Sequence, residues 1–87
     1  MILSQTFNAL SDQSRRKILE LLKKRDLAAG EIGEHFDFTA PTLSHHLSVL
    51  KEAELVSARR EGRQIVYSLN LSVFEEAAEK VIKFFKK

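Results

Sequence analysis

The side chains in this sequence whose types and spacing could do chemistry are the adjacent histidines His45-His46, inside TAPTLSHHLSVL, and the arginines Arg59, Arg60 and Arg63. Metal chelation is the first use to weigh for two histidines. On a helix, sequence neighbours diverge by ~100°, so the two rings cannot close on one ion as an i, i+4 pair does. The chain has no cysteine, which excludes a thiolate metal site and a disulfide framework. Nucleophilic catalysis fails for a similar reason: Ser44 and His45 splay apart, and no nearby carboxylate is available to orient a base. Two solvated surface histidines are the plainer alternative, and nucleic-acid contact is the better reading here. From Phe38 to Leu50 there is no acid, and Thr42, Ser44, His45 and Ser48 are short enough to enter a major groove and hydrogen-bond bases and phosphates.

Positioning those residues requires a particular set of elements. Ile2, Leu3, Phe7 and Leu10 suggest a short first helix. Ser11 is the expected N-cap of a second, with Asp12 in its first turn. That helix runs through Ile18, Leu19, Leu21 and Leu22 and ends in Lys23-Lys24-Arg25. A third helix is expected over about Ala28 to Phe36, weakened by alanine at its cap and by Gly33 inside it. After a turn at Asp37-Phe38, Thr39 caps a fourth helix that tolerates Pro41 in its first turn. Leu43, Leu47 and Leu50 are its inward stripe. With that stripe on the core, Pro41, His45 and Ser48 point outward, Thr42 and Ser44 flank them, and His46 lies at the boundary.

Beyond Leu55 the apolar period changes to two, and VSARREGRQIVYSL reads as a β-hairpin turning at Glu61-Gly62. That turn would pair Arg60 with Arg63, Ala58 with Ile65 and Val56 with Tyr67. Ser72 is the expected cap of a last helix bearing Phe74, Ala77, Ala78, Val81 and Phe85 on one face. The order helix, helix, helix, helix, hairpin, helix describes a mainly α chain of the α+β winged-helix type, a winged helix-turn-helix.

At 87 residues the chain makes a single domain, 1–87, near the size at which one core stabilises weakly without association. The net charge is only +2, but its distribution is uneven: Asp26, Glu31, Glu34 and Asp37 precede the acid-free stretch, and the arginines cluster at the hairpin tip. Charged hairpin edges resist aggregation; a single positive sign also suits the DNA backbone. A domain of this size cannot easily cover Leu3, Phe7, Phe74, Ala77, Ala78, Val81 and Phe85 alone, so a homodimer interface between the terminal helices is expected. Such symmetry would set two recognition helices ~34 Å apart. No signal-peptide pattern and no membrane-length apolar run is present, and a cytoplasmic protein without cofactor is expected.

The segments FNALSDQSRRKILELL, GEIGEHF and TAPTLSHHLSVLKEAELVSARREGRQIVYSLN resemble the ArsR/SmtB family of bacterial winged-helix repressors over nearly the whole chain. The middle block, SHHLSVLKEAELV, is the most specific part. The resemblance implies a dimeric repressor of an operator in double-stranded DNA, not an enzyme, similar to the metal-independent autorepressors of the family. It implies no metal, and leaves open a membrane-protein regulator, a small-molecule regulator or none. The expected DNA contacts are Thr39, Thr42, Ser44, His45, His46 and Ser48 on the recognition helix and Arg59, Arg60 and Arg63 on the wing. Departures from the family pattern are Gln13-Ser14 for the usual Pro-Thr, Ala28 at the third cap, and Glu54 at a position commonly glycine. The other function class considered is a winged-helix protein-interaction module that does not bind DNA; the uniform sign of the wing argues against it.

Overall fold

The computed structural model describes residues 2–86, with side chains from Ser4 onward. Its elements are α1 (Ile2–Leu10), α2 (Gln13–Lys24), β1 (Leu27–Ala28), α3 (Ala29–Gly33), α4 (Ala40–Glu52), β2 (Val56–Glu61), β3 (Gln64–Leu69) and α5 (Leu71–Phe85). The helices and the hairpin follow the winged helix-turn-helix order. The sheet is antiparallel with strand order β1-β3-β2, because the two-residue β1 adds itself to the hairpin through Leu27 opposite Tyr67 and Ala28 opposite Val66.

Local chemistry sets the helix ends. Asp12, not Ser11, caps α2: its backbone is extended (φ −97°, ψ 131°), and its Oδ2 accepts from the Arg15 amide at 3.0 Å. Ser11 instead closes α1, donating from Oγ to the Asn8 carbonyl at 2.7 Å. At α3 the alanine cap offers no side-chain acceptor, but Glu31 Oε1 accepts from the Ala28 amide at 2.9 Å, one half of a capping box. Regular helix ends at Gly33, short of Phe36, and the chain continues in tighter turns through the bonds His35 N to Ile32 O and Phe36 N to Gly33 O. Thr39 caps α4 as expected, Oγ1 accepting from the Thr42 amide at 3.4 Å. The cap of α5 falls on Asn70, two positions before Ser72. The Asn70 side chain ties neighbouring elements together, donating from Nδ2 to the Glu54 carbonyl at 2.8 Å and accepting at Oδ1 from Ser57 Oγ at 3.1 Å.

Ile18, Leu19 and Leu22 of α2, Leu47 and Leu50 of α4, and Leu27, Ile32, Leu55 and Val56 pack into one core. Leu43 is only partly buried against it. The turn from α4 into β2 passes through Glu54 in the left-handed region, φ 61°, the position where glycine is common in the family. No residue of α5 is buried; Val73 and Phe74 are its partly buried contacts with the core. Among the described residues no helix is long and apolar enough to cross a membrane.

The hairpin differs from expectation in register. Glu61 pairs with Gln64, Arg60 with Ile65, Ala58 with Tyr67 and Val56 with Leu69, so the loop is Gly62-Arg63 and the expected Arg60–Arg63 pair does not form. Gly62 takes the positive φ of 62° that the first central position of a type II′ turn requires, a conformation glycine reaches without a Cβ penalty. The shift moves each partner by two residues, so every side chain keeps the face it was assigned.

Candidate nucleic-acid interface

The leucine phase of α4 places its outward residues in solvent. Pro41, Thr42, Ser44, His45 and Ser48 are all exposed. Thr39 is exposed too, but its hydroxyl is engaged by the Thr42 amide and lies 3.1 Å from the Thr42 hydroxyl. This face is polar, short and free of carboxylates, at the N-terminal end of the second helix of the helix-turn-helix.

His46 is placed differently from expectation. It is 9% exposed, and Phe38 covers it with ring centroids 5.4 Å apart. The His45 ring stands 6.0 Å away, directed to solvent. Behind His46 lies Arg15, itself only 8% exposed. Its Nη1 reaches His46 Nδ1 at 3.2 Å, while Nε donates to the Ala9 carbonyl at 2.9 Å and Nη2 to the Asn8 carbonyl at 3.0 Å. A guanidinium always carries its protons, so His46 Nδ1 is the acceptor and the ring is neutral with its proton on Nε2. Burial is the main cause that lowers the His46 pKa from its ordinary value; Asp12, 4.0 Å from Nε2, opposes this, and the charges of Arg15 and His45 reinforce it. Asp12 is held below the usual carboxylate range chiefly by the Arg15 amide it accepts from.

The wing arginines divide by partner. Arg59, though exposed, is paired within the chain: Nε meets Glu61 Oε2 at 2.6 Å, and Nη1 meets Asp26 Oδ2 at 2.9 Å and Ser68 Oγ at 2.8 Å. The Glu61 and Asp26 bonds raise its pKa, and Arg59 lowers that of Asp26 in return. Arg60 and Arg63 are exposed, and neither holds an ion pair among the described residues. Arg60 only folds back onto the Gly62 carbonyl at 3.3 Å. Arg63 borders an open groove of about 460 Å³ shared with Ala29, Gly30, Glu31 and Glu34. Because α4 packs on β2, the strand that carries Arg59 and Arg60 runs beside that helix.

This geometry has relatives. The model of the bacterial regulatory protein arsR family matches residues 12–58, from the cap of α2 into β2. The transcriptional repressor SdpR of Bacillus subtilis (strain 168) is 46% identical over 85 residues, which are 98% of this chain and 94% of that one. This chain belongs to the ArsR family. It is a winged helix-turn-helix transcriptional repressor by family and not an enzyme. The arsenical resistance operon repressor of Staphylococcus aureus is 43% identical over 74 residues, 85% of this chain and 71% of its own. A solved relative, the homodimeric winged helix-turn-helix DNA-binding domain of Mb0332 from Mycobacterium bovis, superposes with a TM-score of 0.79 at 29% identity, covering 93% of this chain and 76% of its own.

The ArsR-family chain also exposes an apolar surface away from α4. Phe7 of α1 is 53% exposed, and Phe84 and Phe85 of α5 are 81% and 78% exposed. Together with Val81 they line a wholly apolar recess of about 290 Å³. Of the other residues expected there, Phe74 and Ala77 are half-buried and Ala78 is exposed; the side chain of Leu3 lies outside the described residues. Among the described residues no cluster of three histidine, aspartate or glutamate side chains could hold a metal ion. Sequence reasoning missed Arg15 and Asp26. Arg15 opens the basic run Arg15-Arg16-Lys17 and Asp26 follows the basic run Lys23-Lys24-Arg25, and only the partner across the fold gives each a role.

Proposed function

We propose that this chain acts in the cytoplasm as a homodimeric repressor that reads an inverted-repeat operator, including one upstream of its own gene. Thr42, Ser44, His45 and Ser48 of α4 read base edges, and Arg60 and Arg63 grip flanking phosphates. The observation that carries this reading is the exposed, acid-free face of α4 beside a wing whose tip arginines have no carboxylate partner. Short hydroxyl and imidazole groups can donate to and accept from base edges in the major groove, while arginines at a hairpin tip track the backbone.

Association is supported by the apolar surface on Phe7, Val81, Phe84 and Phe85, since contiguous exposed apolar patches mark interaction sites. It is further supported by the homodimeric relative from Mycobacterium bovis. The test is selection of bound duplexes from a random library by the purified protein, followed by footprinting of its own upstream region. Enrichment of an inverted repeat with half-site centres about 10–10.5 base pairs apart is the expected result. Retention of duplexes with no common sequence would overturn the proposal.

A further inference from the structure

Arg15 joins three helices that carry different duties. Its backbone amide starts α2 on the Asp12 cap. Its guanidinium closes the C-terminus of α1 by donating to Asn8 and Ala9 carbonyls, and it reaches α4 through His46 Nδ1. Arg16 adds a further bond from the same side, Nη1 to the Leu10 carbonyl at 2.7 Å. A helix C-terminus leaves carbonyls without intrahelical partners, and cations there interact favourably with the helix dipole. The α1 end and His46 are therefore held by one buried cation whose donors are directed at fixed acceptors.

We propose that Arg15 is a positioning residue for DNA reading: through neutral His46 it locks the N-terminal half of α4 to the end of α1, and protonation of His46 releases that lock. This rests on the reading of α4 as the helix that contacts base edges. The geometry gives the reason. Nδ1 can accept from Arg15 Nη1 only while it has no proton; once protonated, two donors would face each other across 3.2 Å with like charge. The groups around the ring pull in opposite directions. Arg15 on α2 and His45 on α4 disfavour the imidazolium, while Asp12 at the start of α2 favours it from the Nε2 side. Phe38 closes the remaining side with an apolar ring. A protonated His46 would turn toward Asp12 and leave Arg15 without its contact to α4. His45 lies next in sequence, so the register of the reading face moves with His46.

Asparagine at position 46 separates this lock from mere packing, because its Oδ1 can occupy the place of Nδ1 and cannot be protonated. The experiment uses the full chain. Nitrogen-15 spectra of the DNA-free protein give the His46 tautomer and follow the amides of residues 8, 9 and 40–47 with pH. Competition between operator and scrambled duplexes gives the operator preference, a ratio that cancels a change in affinity common to both duplexes. The expected result has three parts. His46 carries its proton on Nε2 at neutral pH and titrates below about 6.5, the ordinary histidine value, together with the amides of residues 8 and 9. His46→Ala lowers operator preference by about tenfold, the size of one charge-assisted hydrogen bond. His46→Asn restores the preference to within about a factor of two and removes its loss at acid pH. A proton on Nδ1 at neutral pH, amides of residues 8 and 9 that ignore His46 titration, or a wild-type pH profile in His46→Asn would each overturn the proposal. If no duplex is preferred over any other, the repressor reading fails on its own, and the spectra of the free protein still decide the lock.

Discussion

Replacing the three wing arginines by alanine one at a time should give unequal salt dependences. Each phosphate contact adds about 0.9 to the slope of log K against log salt. Arg60 and Arg63 hold no ion pair among the described residues, so both are available for phosphates. In a two-fold dimer, Arg60→Ala or Arg63→Ala removes two contacts and should flatten the slope by about 1.8. Over a fourfold rise in salt the variant should then lose about twelvefold less affinity than the wild type does. Arg59 already meets Glu61 at 2.6 Å and Asp26 at 2.9 Å, and a phosphate would have to displace one of them. Arg59→Ala should therefore flatten the slope by less than about half a unit. His45→Ala forms the opposite control. It should cost ~1–3 kcal/mol on the operator, almost nothing on a scrambled duplex, and leave the slope intact. Fluorescence anisotropy titrations on both duplexes at several salt concentrations measure all of these. If Arg59→Ala flattens the slope as far as Arg60→Ala does, its carboxylate partners do not hold it back from DNA. If His45→Ala weakens both duplexes equally, His45 anchors the backbone and reads no base.

Introducing a charge into the apolar surface, as Val81→Asp or Phe85→Asp, should shift sedimentation from about twice the 9.9 kDa chain mass to that of one chain and weaken DNA binding in parallel. A monomer that binds as well as the wild type would refute the dimer. Glu54→Gly should raise stability by about 0.5–1 kcal/mol in denaturant titrations, because the φ of 61° strains an L side chain more than glycine's extra chain entropy costs. Asp12→Ala should cost about 1 kcal/mol and Asp12→Asn less, since asparagine also caps. The folded-state pKa of Asp12 is depressed, so its contribution is present above the ordinary carboxylate value and is lost as pH falls through the depressed one. The wild type should accordingly lose stability relative to Asp12→Asn at acid pH, and parallel pH profiles would refute that sign.

How far the site could be read from sequence depended on whether a periodic signal spanned it. The Leu43-Leu47-Leu50 stripe gave α4 a phase, and the exposure of Thr42, Ser44, His45 and Ser48 follows from that phase. Periodicity placed His46 at the boundary and could go no further, because its burial depends on Arg15, 31 residues away. The hairpin had a period but not a unique register. Side chains alternate with period two, so partners shifted by two residues satisfy the same faces, and in the observed loop Gly62 takes the positive φ that a Glu61-Gly62 type I′ turn would also ask of Glu61. At α2 two good cap residues stand side by side, Ser11 and Asp12, and backbone conformation decided between them. Two residues have no period at all, which is why β1 left no signal.

The net charge of +2 says little about which cations meet DNA, and accounting for partners says much more. Arg15 has three acceptors inside the fold and is buried, so its charge works on the α1 terminus and on His46. Arg59 has two carboxylates and a hydroxyl, so its charge ties β2 to Asp26, ahead of β1, and to Ser68 of β3. Each of these arginines fixes the element on which a residue proposed to meet DNA rides: Arg15 holds α4, which carries His45, and Arg59 holds the strand that carries Arg60. Preorganisation of this kind lowers the entropy lost on binding. In a domain whose last helix has no fully buried residue in the single chain, polar ties of this sort supply rigidity that a small apolar core does not.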